Sequence, residues 1–141
     1  MNKKKRTILI ICILIAVVSV LGYFFSYRKL ESALNFKFNE VDKILISSGA
    51  SSKIVEITNK EEIEEYLKIF DGTKVRRDIN QIKTAGFCLE ARFFIGNDQV
   101  GGITYGYNKI TINNVRYVSN KNIDGQEIDQ IEAKYNLLLN N

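Results

Sequence analysis

Few side chains in this sequence can do covalent or acid–base chemistry, and what is missing narrows the field first. None of the 141 residues is histidine. That removes Ser-His and Cys-His nucleophilic pairs, histidine general bases and the commonest ligand of catalytic zinc. The two cysteines are Cys12 and Cys88. Cys12 lies inside a hydrophobic run, where a bond to Cys88 is geometrically implausible, so no disulfide framework is implied. Cys88 has no histidine or helix start nearby to favour its thiolate, and it reads as structural. Paired carboxylates for glycoside chemistry would have to face each other across a cleft, and no spacing here asserts that. The residues therefore predict a protein that is not an enzyme and that uses no cofactor or metal.

What remains suits recognition. Lys74 with Arg76-Arg77-Asp78 is the one basic cluster outside the N-terminus. An arginine pair can grip a carboxylate or phosphate, or it can simply solvate a sheet edge. Tyr105, Tyr107 and Tyr117 fall where they can share a sheet face, either as a recognition surface, since tyrosine is enriched at interfaces, or as core packing. Arg76, Arg77, Tyr105, Tyr107 and Tyr117 are thus the candidate interaction surface. Glu90 and Arg92, two apart on a strand, are same-side neighbours, with a cross-strand ion pair the simplest role. Gly101, Gly102 and Gly106 do not make a phosphate-binding loop, because such a loop leaves a strand to open a helix. They sit inside a strand pattern, which points to a bulge or a close backbone approach.

Charge excludes a further class. Lys3, Lys4, Lys5 and Arg6 account for the whole net charge of +4. From Ser26 onward, 16 Lys and Arg meet 16 Asp and Glu. A neutral domain has no basic excess with which to neutralise phosphates, so nucleic acid is not an expected partner.

The N-terminal run dominates the organisation. Residues 7–25 (TILIICILIAVVSVLGYFF) carry no charge, and as a helix they would span roughly 28 Å against a hydrocarbon core of about 30 Å. Thirteen of them are Ile, Leu, Val or Phe, which together favour insertion by about 4 to 8 kcal/mol. The basic residues 3–6 ahead of the run, and Tyr23, Phe24, Phe25 and Tyr27 at its end, predict a cytoplasmic N-terminus and an external carboxyl end, although Arg28 and Lys29 weaken the asymmetry. A cleaved signal peptide would have a shorter apolar region ending in a small-x-small site, and the candidates Val17-Val18-Ser19 and Val20-Leu21-Gly22 are poor. Cys12 sits mid-run, so it is not placed for lipidation.

The expected organisation is a cytoplasmic basic tail (1–6), a transmembrane signal-anchor helix (7–25), a stalk or linker (26–40) and one extracytoplasmic α+β domain (41–141). Within the domain, residues 41–48 and 53–58 read as a hairpin around Ser48-Gly49-Ala50-Ser51-Ser52. Thr58 with Glu61 forms a capping box for a helix with Ile63, Leu67 and Phe70 on one face, stopped at Asp71-Gly72. The acidic Glu61, Glu62, Glu64 and Glu65 suit the positive end of that helix dipole and need no catalytic role. Residues 87–95 alternate as the strongest strand, followed by a turn at Gly96-Asn97-Asp98. An antiparallel meander of strands 100–107, 109–113 and 115–119 follows, broken at Asn108-Lys109 and Asn113-Asn114. Asp124 with Glu127 opens a C-terminal amphipathic helix bearing Ile128, Ile131, Tyr135 and Leu138, which packs on the sheet. Residues 74–86 give no clear pattern.

The run VDKILISSGASSKIVEITNKEEIEEYLKIF, with the later YNKITINNVRYVS, resembles an uncharacterised extracytoplasmic domain of small lipoproteins and membrane-anchored proteins from low-GC Gram-positive bacteria. The resemblance covers residues 41–119 and implies no activity and no site residues. Such relatives often carry a lipoprotein cysteine, and its lack here would leave the helix as the anchor. The functional expectation is a membrane-tethered binding or interaction module that contacts a protein, wall polymer or small ligand outside the membrane. The alternatives are a small anchored hydrolase or transferase using Asp, Glu, Lys or Tyr, and an accessory subunit of a membrane complex, for which Ala16, Ser19 and Gly22 would supply a small-residue packing face.

Overall fold

Every large apolar side chain of the first helix faces outward, which separates it at once from the rest of the chain. Helix α1 spans Lys3–Phe25 and buries no residue, and it is long and apolar enough to cross a membrane. The computed structural model describes residues 3–137 except 50, 52, 83–88 and 124, with backbone only at 107, 108, 122, 123, 125 and 126.

Two residues after α1 the chain is already part of the sheet. Strand β1 (Arg28–Lys29) pairs antiparallel with β4 (Lys74–Arg77), Arg28 opposite Val75. Helix α2 (Leu30–Leu34) then turns in, and Asn35 ends it in the left-handed conformation, which asparagine tolerates better than most residues. Leu30, Leu34 and Phe36 are buried, and the Phe36 and Phe38 rings both pack on Phe93. The segment expected as a stalk or linker is therefore a built part of the domain. Its sequence misleads because Leu30 and Leu34 serve equally well as one face of a continued helix or of a short separate one.

The remaining elements are β2 (Lys43–Ser48), β3 (Ile54–Ile57), α3 (Lys60–Leu67), β5 (Leu89–Ile95), β6 (Asp98–Ile112), β7 (Val115–Ile123) and α4 (Gly125–Lys134). Among the described residues, seven strands form one antiparallel sheet in the order β1-β4-β7-β6-β5-β2-β3. The class is α+β, and the β2–β3 hairpin and the β5–β6–β7 meander both form. Ile44 and Ile46 on β2 oppose Phe93 and Ala91 on β5, and Ala91 opposes Ile103 on β6. These residues are all buried, so alternation delivers one face of each strand to the core.

Turn chemistry explains the register. Gly96, at φ +60°, joins β5 to β6, and its N–H donates to Asp42 Oδ2 at 2.7 Å. Asn113 and Asn114 both have positive φ, as a two-residue type I′ turn requires. The break expected at Asn108-Lys109 does not occur. β6 runs through it as a single strand, and the irregularity falls on its partner: Tyr107 pairs with Ile123 but Lys109 with Val118, so β7 takes up the extra residues while β6 continues. At Gly101 a Cβ would lie 2.8 Å from Phe36 Cε1, so this glycine permits the close approach expected of it.

Asn59, not Thr58, caps α3, its side chain accepting from the Glu62 N–H at 3.0 Å. The helix still buries Ile63, Leu67 and, through a 3₁₀ turn, Phe70, and Gly72 follows at φ +70°. Ile128, Ile131 and Tyr135 of the C-terminal helical region are buried, and Glu132 of α4 accepts a hydrogen bond from the buried Ser48 hydroxyl of β2. Phe87, Cys88, Asp124 and Leu138 lie outside the described residues.

Candidate functional site

The candidate residues separate once the sheet is built. Arg76 and Arg77 are successive residues of β4, so their side chains leave opposite faces of the sheet and cannot close as one clamp. Arg76 is half-buried with its guanidinium carbon 5.5 Å from the centroid of the Tyr27 ring. Arg77 is exposed and lies opposite Tyr117 in the β4–β7 register. Arg28 completes the group, its Nη2 donating to the Tyr117 hydroxyl at 2.9 Å and its guanidinium carbon 5.6 Å from that ring. Such cation–aromatic contacts are worth about 0.5 to 1 kcal/mol each at exposed sites. They fix a cationic edge at the point where the chain leaves α1.

Tyr105 belongs elsewhere. It is 1 % exposed and hydrogen-bonded hydroxyl to hydroxyl with Tyr66 at 2.9 Å. The Phe70 ring stands edge-on 5.5 Å away. Of the two roles open to it, core packing is the one it fills, and a residue so enclosed cannot form an interaction surface. Burial, and then the neighbouring Tyr105, push the Tyr66 phenol well above its ordinary value, because a phenolate there would lose its hydration. The Tyr107 side chain lies outside the described residues. Glu90 accepts from the Ser47 hydroxyl at 3.4 Å on the neighbouring strand, a cross-strand hydrogen bond where a cross-strand ion pair was expected.

Beyond β4 the chain makes a tight, pinned loop. The Asp78 carboxylate lies 3.4 Å from Lys109 Nζ and 3.5 Å from Arg116 Nε, and it accepts the Asn80 N–H at 3.0 Å. Burial alone would raise this carboxyl, but the Asn80 N–H and the two cations outweigh it and hold Asp78 below its ordinary value. The Gln81 side chain pairs with the Arg116 backbone as a strand would, donating to its carbonyl at 3.0 Å and accepting from its N–H at 3.0 Å.

A cleft of about 490 Å³ opens at the other end of the β1–β4 pair, within the size range of small-ligand sites. Leu30, Phe38 and Phe70 give it an apolar wall, and Lys29, Glu31, Asp71 and Lys74 bring both signs of charge. Thr73 also lines it, 4 % exposed, with its hydroxyl lacking a hydrogen-bond partner among the described residues. Glu31 is already used, accepting the Phe38 N–H at 2.9 Å. Sequence reading missed this cleft because its residues come from two chain segments that only the β1–β4 pairing brings together. Among the described residues, no three His, Cys, Asp or Glu side chains gather as metal ligands would.

No family model, curated protein or solved structure matches the chain.

Proposed function

We propose that this protein is a membrane-tethered, extracytoplasmic binding module, held by α1 with its N-terminus in the cytoplasm, and that it acts by recognition and not by turnover. One observation carries the reading. α1 buries none of its side chains, while the α+β domain closes its own core without them. A helix apolar on every side needs lipid or a partner to cover it, and its length matches the hydrocarbon thickness. Lys3 to Arg6 set the orientation, because lysine and arginine are retained on the cytoplasmic side. The cleft bounded by Lys29, Phe38, Thr73 and Lys74 is the place for the ligand, a protein segment, wall polymer or small molecule. It joins an apolar wall to a few polar groups, as ligand pockets do.

Protease added to intact cells tests the topology: cleavage of the domain is expected, and full protection would overturn it. Recognition is tested with the detergent-solubilised full chain immobilised and exposed to envelope fractions. Specific capture that is lost in Lys29→Glu and Lys74→Glu is expected. Turnover of a substrate without any such capture would favour the anchored hydrolase or transferase instead.

A further inference from the structure

Among the described residues, the two most exposed isoleucines of the domain are held beside the end of the membrane helix. Ile79 is 80 % exposed and Ile82 71 %. Both lie on the loop after β4, and β4 runs antiparallel to β1, back toward the end of α1, which it touches. The loop is not slack. The Asp78 N–H donates to the Arg116 carbonyl, Gln81 bonds the Arg116 backbone, and the Ile82 N–H donates to Asn80 Oδ1. A segment so tied, yet presenting two large apolar side chains to the outside, is built to meet something apolar.

Distance and charge say what. Only Ser26 and Tyr27 separate α1 from β1, and two extended residues reach at most about 7 Å. That is about the depth of one headgroup layer, roughly 5 to 8 Å. With α1 across the bilayer, the β1–β4 edge starts within the headgroups and has no stalk to lift it away. Lys109 and Arg116 pair with Asp78, and Arg76 and Arg77 precede it on β4, so among the described residues four cations cluster at this end of β4 with one carboxylate. The acidic residues Glu61, Glu62, Glu64 and Glu65 belong to α3, a different element. A domain neutral in total thus turns a basic, apolar-tipped edge to the membrane.

We infer that this edge is a lipid-docking surface: Ile79 and Ile82 enter the interfacial layer of the leaflet that α1 leaves, and Arg77 and Lys109, on opposite faces of the sheet, each engage the phosphate of an anionic lipid. The domain then lies against the bilayer in one orientation. This rests on the tethered reading, and the test separates the two. The chain contains no tryptophan, so one introduced indole reports its own depth. The full chain is reconstituted into vesicles of phosphatidylcholine, with or without phosphatidylglycerol, containing bromine-labelled acyl chains that quench on contact. Ile82→Trp and, independently, Ile79→Trp are expected to lose emission and shift to the blue. Ile54→Trp, on β3 at the opposite edge of the sheet, should do neither. Val18→Trp, inside α1, should be quenched in every vesicle. Adding Arg77→Glu to Ile82→Trp is expected to reduce quenching in anionic vesicles while leaving neutral ones unchanged. If Val18→Trp is quenched but both loop indoles behave like Ile54→Trp, the docking surface is wrong and the tether stands; a protein partner would then cover the isoleucines. If Val18→Trp is not quenched, the tether itself fails and the docking surface with it.

Discussion

Gly101 shows how much one missing Cβ decides. It sits on β6 beneath Phe36, with room for no further atom, since a Cβ there would stand 2.8 Å from the ring. Gly101→Ala is expected to destabilise the domain by about 1 to 3 kcal/mol, the usual cost of overpacking a filled core. Chemical denaturation would measure it, and Phe36→Leu in the same chain should restore part of the loss. A second residue-scale expectation concerns Asp78. Its folded-state pKa is depressed, so the stability it contributes is present above the ordinary carboxylate pKa and lost as pH falls through the lower folded value. Below about pH 4 the loop at 78–82 should loosen first, seen as faster amide exchange at Asn80 and Ile82, whose N–H groups are bonded within the loop. In Asp78→Asn that exchange should already be fast at neutral pH and change little on acidification. Legibility at this scale was uneven. The glycine signal was readable because glycine inside a strand pattern has few explanations, whereas the Asp78 cage was not, because Lys109 and Arg116 reach it from strands far along the chain.

At the scale of elements, periodicity predicted most of what forms and erred where two local solutions cost nearly the same. Alternation in residues 89–95 and the 3.6-residue spacing around Ile63, Leu67 and Phe70 match buried faces, because a long regular pattern leaves little choice. The start of α3 was ambiguous by one residue, since Thr58 and Asn59 are both good caps and a helix end can slip by one position at little cost. Asn59 makes the bond. Asn59→Ala should therefore cost about 1 kcal/mol, while Thr58→Ala should cost clearly less. Thermal unfolding of the two variants side by side checks this, and a larger loss at Thr58 would put the cap where the sequence first suggests it. The unbroken course of β6 past Asn108 was illegible for a related reason: Asn108 is a turn residue by type, and only the partner strand, which takes up the register irregularity, decides whether the chain turns there or runs on.

For the whole molecule, the decisive question is where the anchor stops and the domain starts. From the sequence the boundary fell at Val41, because residues 26–40 offer too short and too mixed a pattern to reveal that they pack. In the folded chain Leu30 and Leu34 are each 2 % exposed and Phe36 9 %, and β1 covers the outer edge of β4. Burying three such side chains is worth about 5 to 9 kcal/mol on a scale of roughly 1.5 to 3 kcal/mol each, while a domain of this size has about 5 to 15 kcal/mol in total. Two fragments distinguish the boundaries. Residues 26–141 keep the complete core and lose only α1, which buries nothing, so this fragment should be soluble and unfold cooperatively in urea. Residues 41–141 lose the plug over Phe93 and Gly101 and leave the edge of β4 unpaired. That fragment should show no cooperative transition and should aggregate through the bared strand. Equal midpoints for the two would return 26–40 to the role of a linker. They would also take away the basis of the proposed lipid docking, which depends on only two residues joining α1 to a packed β1.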